Sequence, residues 1–117
     1  SGNYVICSIS DKEVGCDIEK ISSNNLDIAE KFFNEKEIKN IHNDNDFYRY
    51  WTLKESYIKY LGYGLTIPLN SFCINIDNVI SVDNNKNLKF IEVNISKDYK
   101  CSICSEYDQV LIKEYKL

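Results

Sequence analysis

Hydrophobic positions follow two regimes along this chain, and the change falls at Pro68. Before it, the longest pattern is Tyr50-Trp51-Thr52-Leu53-Lys54-Glu55-Ser56-Tyr57-Ile58-Lys59-Tyr60-Leu61. Phe47, Tyr50, Trp51, Leu53, Tyr57, Ile58 and Leu61 recur mostly at three- and four-residue steps, the spacing of a helix face. This predicts a helix from Phe47 to about Leu61, capped by Asp46. The permissive backbone of Gly62 and Gly64 ends it, and Pro68 keeps it from resuming. Upstream, Asn3 to Ser10 is β-rich and predicts a strand, Asp11-Lys12 a turn, and Glu13 to Ile21 a second strand completing a hairpin. In that second strand Val14, Cys16 and Ile18 alternate with Gly15, Asp17 and Glu19, so the first set is expected in the core and the second faces away. Ser22 to Asn25 is a polar loop. Ser23 or Asn25 would cap a helix through Leu26, Ile28, Ala29, Phe32 and Phe33. Asn34 breaks that helix, and with Glu37 three residues on it caps a short one ending near Ile41. After Pro68 the runs are short and β-type: Ser71 to Ile76, Val79 to Val82, Leu88 to Ile95, Tyr99 to Ser105 and Val110 to Tyr115. The expected class is α+β, with helices packed on a mainly antiparallel sheet.

Bulk composition narrows this picture. A chain of 117 residues builds one core, so residues 1–117 are expected to be a single domain. With 44% hydrophobic and 27% charged residues it is globular. A net charge of −4 argues against nucleic acid as a partner, because an electrostatic footprint for it would be basic. No run reaches membrane-spanning length and no signal peptide opens the chain, so a membrane partner is not expected. The five cysteines are odd in number and irregular in spacing, which reads as reduced thiols in a cytoplasmic protein.

Candidate chemistry gathers at two places. Glu55 and Lys59 are one helical turn apart and share a face with Trp51, as a site for a metal and a phosphate would need. On spacing alone an ordinary surface ion pair is the better account. Asp17 and Glu19 point the same way from their strand, and a divalent cation held by oxygen would relieve their mutual repulsion. A solvent-facing acidic strand edge is the plainer account. Other features are weak. Cys101 and Cys104 form a CxxC in a strand-like run, where the sulfurs face opposite ways and cannot share a zinc ion. His42 stands alone in a polar loop. Lys86, Lys89, Lys97 and Lys100 are scattered and read as solvated. There is no P-loop and no G-x-S-x-G.

Taken together the two places resemble a known family. Gly15-Cys16-Asp17-Ile18-Glu19, followed by Trp51-Thr52-Leu53-Lys54-Glu55-Ser56-Tyr57-Ile58-Lys59, resembles the two signature motifs of the 4′-phosphopantetheinyl transferase superfamily, G-[IVC]-D-[IV]-E and W-[ST]-x-K-E-[SA]-x-x-K. Phe32-Phe33 with Glu37 resembles the segment between them. The wording is closer to the C-terminal half of the larger, surfactin-synthetase-activating type than to the small holo-acyl-carrier-protein-synthase type. The resemblance runs from about Tyr4 to Phe72.

The resemblance implies a reaction: transfer of the 4′-phosphopantetheine arm of coenzyme A to a serine of an acyl or peptidyl carrier protein. It implies Asp17, Glu19 and Glu55 as Mg²⁺ ligands, Lys54 and Lys59 on the phosphates, and Glu55 as base for the serine proton. It places Ile21 to Phe33 where a carrier protein docks. It implies Trp51 as packing for Glu55. Larger members have two similar halves, and this chain holds material for one. The family's Ser-His-Ser segment lies ahead of the first strand, whereas this sequence opens at Ser1-Gly2. Two expectations follow: a piece of a longer enzyme, or a short member that completes its site as a homo-oligomer. The rival reading is a non-catalytic scaffold or dimerisation domain of the same fold.

Overall fold

The computed structural model describes residues 2–23, 25–62, 67–83 and 85–115. Its spine is helix α3, Asp44–Leu61. Asn43 caps it by accepting from Asp46 N at 2.8 Å. The expected cap, Asp46, lies instead in the first turn, where its carboxylate accepts from His42 N at 3.0 Å. Asn43 wins because its backbone is extended, as a cap requires. At the other end Gly62 takes φ 77°, a left-handed conformation that suits glycine, and donates to Ile58 and Lys59 carbonyls. Gly64 lies outside the described residues.

A three-stranded antiparallel sheet lies against α3. It comprises β1 (Val14–Lys20), β5 (Tyr99–Ser105) and β4 (Lys89–Glu92), in the order β1-β5-β4. The register sets Gly15 opposite Cys104, Asp17 opposite Ser102 and Glu19 opposite Lys100. A hairpin of β2 (Ile74–Ile76) and β3 (Ile80–Val82) forms a second, two-stranded sheet. Between β1 and α3 run a 3₁₀ turn at Leu26–Ile28 and two short helices, α1 (Ala29–Phe32) and α2 (Glu35–Ile38). Asn34 and Glu37 form the expected capping box at α2. Asn25 precedes the 3₁₀ turn but makes no side-chain cap bond there. Its amide is spent on Ser22, Ser23 and Tyr48.

The α+β class holds, with three corrections. Asn3–Ser10 is not a strand, and β1 pairs with β5 along its whole length instead of with an N-terminal hairpin partner. Burial in this segment is uneven: Tyr4 and Ile6 are half-buried against Ile18, Tyr99 and Cys101, while Val5 and Ile9 are 91% and 94% exposed. Val110–Tyr115 is apolar but makes no ladder, and Leu111 and Tyr115 are exposed. The third correction concerns the faces of β1. The Gly15, Asp17 and Glu19 face is turned to α3 and the main core, which includes Phe33, Phe47, Leu53 and Cys104. Ile18 joins a smaller cluster on the far side. Glycine decides this, because only a residue without Cβ lets β1 approach the helix so closely. A Cβ built at Gly15 would stand 2.0 Å from Ser56 O and 2.4 Å from Tyr60 N. The CxxC sulfurs do part, Cys104 towards α3 and Cys101 to the far side. Burial pushes these thiols up to about 12 and about 11 respectively.

Candidate functional site

The contact at Gly15 brings the acidic strand against the basic and acidic turn of α3. Asp17 is buried, 5% exposed, and its Oδ1 accepts from Lys59 Nζ at 2.7 Å. Its Oδ2 is buried with no hydrogen-bond partner, the one such side-chain atom among the described residues. Burial raises the Asp17 carboxyl above its ordinary value, and Lys59 opposes that only in part. For Lys59 itself, burial works downward but the Asp17 hydrogen bond and charge outweigh it, so the ammonium is held above its usual value. Burial disfavours the charged form of both, so it works upward on the acid and downward on the base, and it bears harder on Asp17, which is inside, than on Lys59, which is about half exposed.

Glu55 is buried on the same helix. Burial raises its carboxyl, the charge of Asp17 raises it further, Lys59 opposes this, and Glu19 adds a smaller upward push. Asp17, Glu19, Glu55 and Lys59 therefore share one electrostatic neighbourhood. Among the described residues, no group of three or more His, Cys, Asp or Glu side chains is gathered so as to hold a metal ion. Like charges resist gathering, and Lys59 already occupies one oxygen of Asp17. The donor set is nonetheless all carboxylate oxygen, which suits a hard cation such as Mg²⁺, and the buried Asp17 Oδ2 lacks any partner. A cleft of about 490 Å³ opens beside it, lined by Asp17, Glu19, Lys59, Cys16, Val5 and Ile6 among others.

Lys54 stands apart from this group. Its side chain has no exposed surface, its Nζ donates to Glu37 and to the Phe72 carbonyl, and it lies 4.5 Å over the Phe72 ring. An ammonium so enclosed does not face a phosphate arriving from solvent, which corrects its expected role. One residue along a helix is a rotation of about 100°, so Lys54 and Glu55 point into different layers. Trp51 packs with Phe32, Phe33 and Phe47 in the aromatic core. Two residues lay hidden in the sequence. Lys100 stands directly across from Glu19, on the face that carries Asp17, a relation legible only once the β1–β5 register is known. Glu37, which completes the capping box of α2, is also the buried partner of Lys54.

The chain is similar to known proteins over most of its length. The family model of the 4′-phosphopantetheinyl transferase superfamily matches residues 13–115. The chain is 39% identical to the 4′-phosphopantetheinyl transferase gsp of Aneurinibacillus migulanus, covering 94% of this chain and 51% of that protein. It is 33% identical to the 4′-phosphopantetheinyl transferase Sfp of Bacillus subtilis, covering 92% of this chain and 53% of Sfp. The chain thus spans about half the length of the curated relatives it matches. The fold is similar to the crystal structure of holo-[acyl-carrier-protein] synthase from Thermotoga maritima, with a TM-score of 0.64 at 17% identity over 79% of this chain and 61% of that one. Both signature motifs lie inside the matched range and meet across the β1–α3 contact, and the chain belongs to the 4′-phosphopantetheinyl transferase superfamily.

Proposed function

We propose that this chain is one half of a two-half 4′-phosphopantetheinyl transferase, or a short member that completes its site with a second copy, and that it carries the metal and phosphate side of the active site. The reaction is Mg²⁺-dependent transfer of phosphopantetheine from coenzyme A to a carrier-protein serine. The observation that carries the reading is the buried, partnerless Asp17 Oδ2 beside Glu55, Glu19 and Lys59. An apolar-backed carboxylate oxygen with no donor is costly unless something cationic completes it.

In this reading Asp17, Glu19 and Glu55 would hold Mg²⁺. When bound, the ion supplies charge neutralisation and Lewis acidity at the pyrophosphate. Lys59, half exposed at the cleft, swings between Asp17 and the phosphates as a point charge on a flexible stem. The serine oxygen attacks the phosphorus that bears the pantetheine arm. The bond from that phosphorus to the bridging oxygen breaks, and adenosine 3′,5′-bisphosphate leaves. Glu55 takes the serine proton, as a carboxylate base positioned on α3. The rim at residues 21–33 receives the carrier protein. A cytoplasmic setting fits the five cysteines, all free. No described helix is long and apolar enough to cross a membrane.

The test separates ligand from base. Asp17→Asn weakens Mg²⁺ binding, so excess Mg²⁺ restores part of its transfer rate. Glu55→Gln stays slow at saturating Mg²⁺, because a positioned base contributes about 10²–10⁴-fold. The assay is transfer of labelled phosphopantetheine to an apo carrier protein, by this chain or by a two-half relative bearing the same substitutions. Equal rescue of both variants would show Glu55 to be a ligand only. No Mg²⁺ dependence in either would remove the metal from the reading.

A further inference from the structure

Outside the acidic site the molecule contains a second, fully enclosed charge pair. The side chains of Glu37 and Lys54 are both 0% exposed. Every oxygen of Glu37 is used: Oε1 accepts from Lys54 Nζ and from Asn34 N at 3.2 Å, and Oε2 accepts from Ile74 N at 2.8 Å. Lys54 Nζ also donates to the Phe72 carbonyl at 2.6 Å, and Asn34 Nδ2 donates to the same carbonyl at 3.0 Å. The pair therefore ties together α2, α3 and the entry to β2.

Stability alone is a weak reason for such a pair, since an apolar replacement of similar volume is often as stable or more so. What it supplies is direction. Helices α1 and α2 have four residues each, far below the length at which a helix holds itself in water. Their placement is set by what they are bonded to. These helices belong to the connection that leaves β1 just after Glu19 and returns at the start of α3. Its first part is held to α3 through Tyr48, whose hydroxyl is 2.7 Å from Ser22 Oγ and accepts from Asn25 Nδ2 at 2.9 Å. Among the described residues, none of this connection lines the cleft beside Asp17, Glu19 and Lys59. The cleft and the connection are thus two separate surfaces flanking one acidic group.

We infer that Glu37 and Lys54 are a positioning pair that sets the 21–38 connection against the helix bearing Glu55. They thereby govern docking of the macromolecular substrate and leave binding of the small phosphate substrate unaffected. The inference rests on the proposed function for the identity of the two substrates, and on geometry alone for the positioning.

The experiment compares the whole chain with the neutral double variant Glu37→Gln/Lys54→Met and with Glu37→Gln alone. Glu37→Gln keeps the outline of the side chain, removes its charge and turns one accepting oxygen into a donating amide, so it breaks the bond to Lys54 or to Ile74 N directly and serves as the second variant if the double one unfolds. Amide hydrogen exchange is read over residues 29–38 and 50–58. Coenzyme A with Mg²⁺ and an apo acyl carrier protein are titrated separately by calorimetry. Exchange over 29–38 is expected to quicken about 10-fold or more while 50–58 stays protected, as loss of hydrogen bonds to a charged group implies. Carrier affinity is expected to fall about 10-fold while that for coenzyme A changes by less than about twofold. Unchanged exchange over 29–38 overturns the positioning. An equal loss of coenzyme A affinity overturns it too, by showing that Lys54 reaches the phosphates. If the unsubstituted chain binds neither substrate, the short-member form of the proposed function fails, and the same substitutions in a two-half relative carry the titrations, while the exchange measurement still decides the positioning.

Discussion

Gly15→Ala is expected to destabilise this chain and disable its acidic site together. Strand propensity says the opposite, since replacing an interior glycine by alanine gains about 0.5–1 kcal/mol on backbone entropy. Geometry outweighs that. The added Cβ would meet Ser56 O at 2.0 Å and Tyr60 N at 2.4 Å, both backbone atoms of α3 that cannot rotate aside. Restoring ordinary contact at 3.4 Å requires strand and helix to part by about 1.4 Å. Overpacking of this kind costs about 1–3 kcal/mol, more where the backbone must move. Asp17 lies two residues along the same strand and face. The same parting stretches its 2.7 Å bond to Lys59 beyond hydrogen-bond length. Misplacement of a catalytic group by about 1 Å can cost about 10²-fold in rate. Urea unfolding reads the first effect, as a lowered midpoint with an unchanged slope. The transfer assay reads the second. A variant as stable as the parent, or more so, would refute the close approach on which the whole site depends.

Two further outcomes follow from the same contacts. Asp17 and Glu55 carry folded-state pKa values above their ordinary ones, so their contribution to stability is fully present below the ordinary carboxylate range and is lost as pH rises through the raised values. At neutral pH both ionised groups oppose folding, and Mg²⁺ is expected to raise the melting temperature there and have little effect once the medium is acid enough to protonate them. A stabilisation by Mg²⁺ that is equal at both pH values would place the ion elsewhere. Self-association is expected from the exposed apolar side chains of Val5, Ile9, Leu111 and Ile112, and sedimentation at rising concentration should show a dimer or larger species. A monomer at the highest concentration counts against the shared-site form of the proposal.

Much of this protein was legible in local pattern. A period near 3.6 marks α3 to its last residue, and Asn34 with Glu37 marks the start of α2. β5 runs from Tyr99 to Ser105, as its composition suggests. A period of two puts Asp17 and Glu19 on one face, and a four-residue step puts Glu55 and Lys59 on another. Such relations need only the geometry of a single element.

What no single element contains is the choice of partner. Residues 3–10 and 110–115 have the composition of strands, but β1 is paired along its length by β5, 79 to 91 residues downstream. A ladder forms only where two segments are brought side by side in register, and the sequence does not say which two. Likewise the alternation in β1 separates two faces without saying which one meets the helix. Gly15 settles that, by letting α3 approach on the side of the carboxylates. Lys54 shows the same limit at its smallest scale. Its neighbour Glu55 turns to the acidic strand, and a single helical step carries Lys54 into the layer where Glu37 and the Phe72 carbonyl enclose it. The sequence by itself determined which residues share a face. Only the tertiary structure decided what each face meets, because pairing and burial are set by distant segments competing for the same surface.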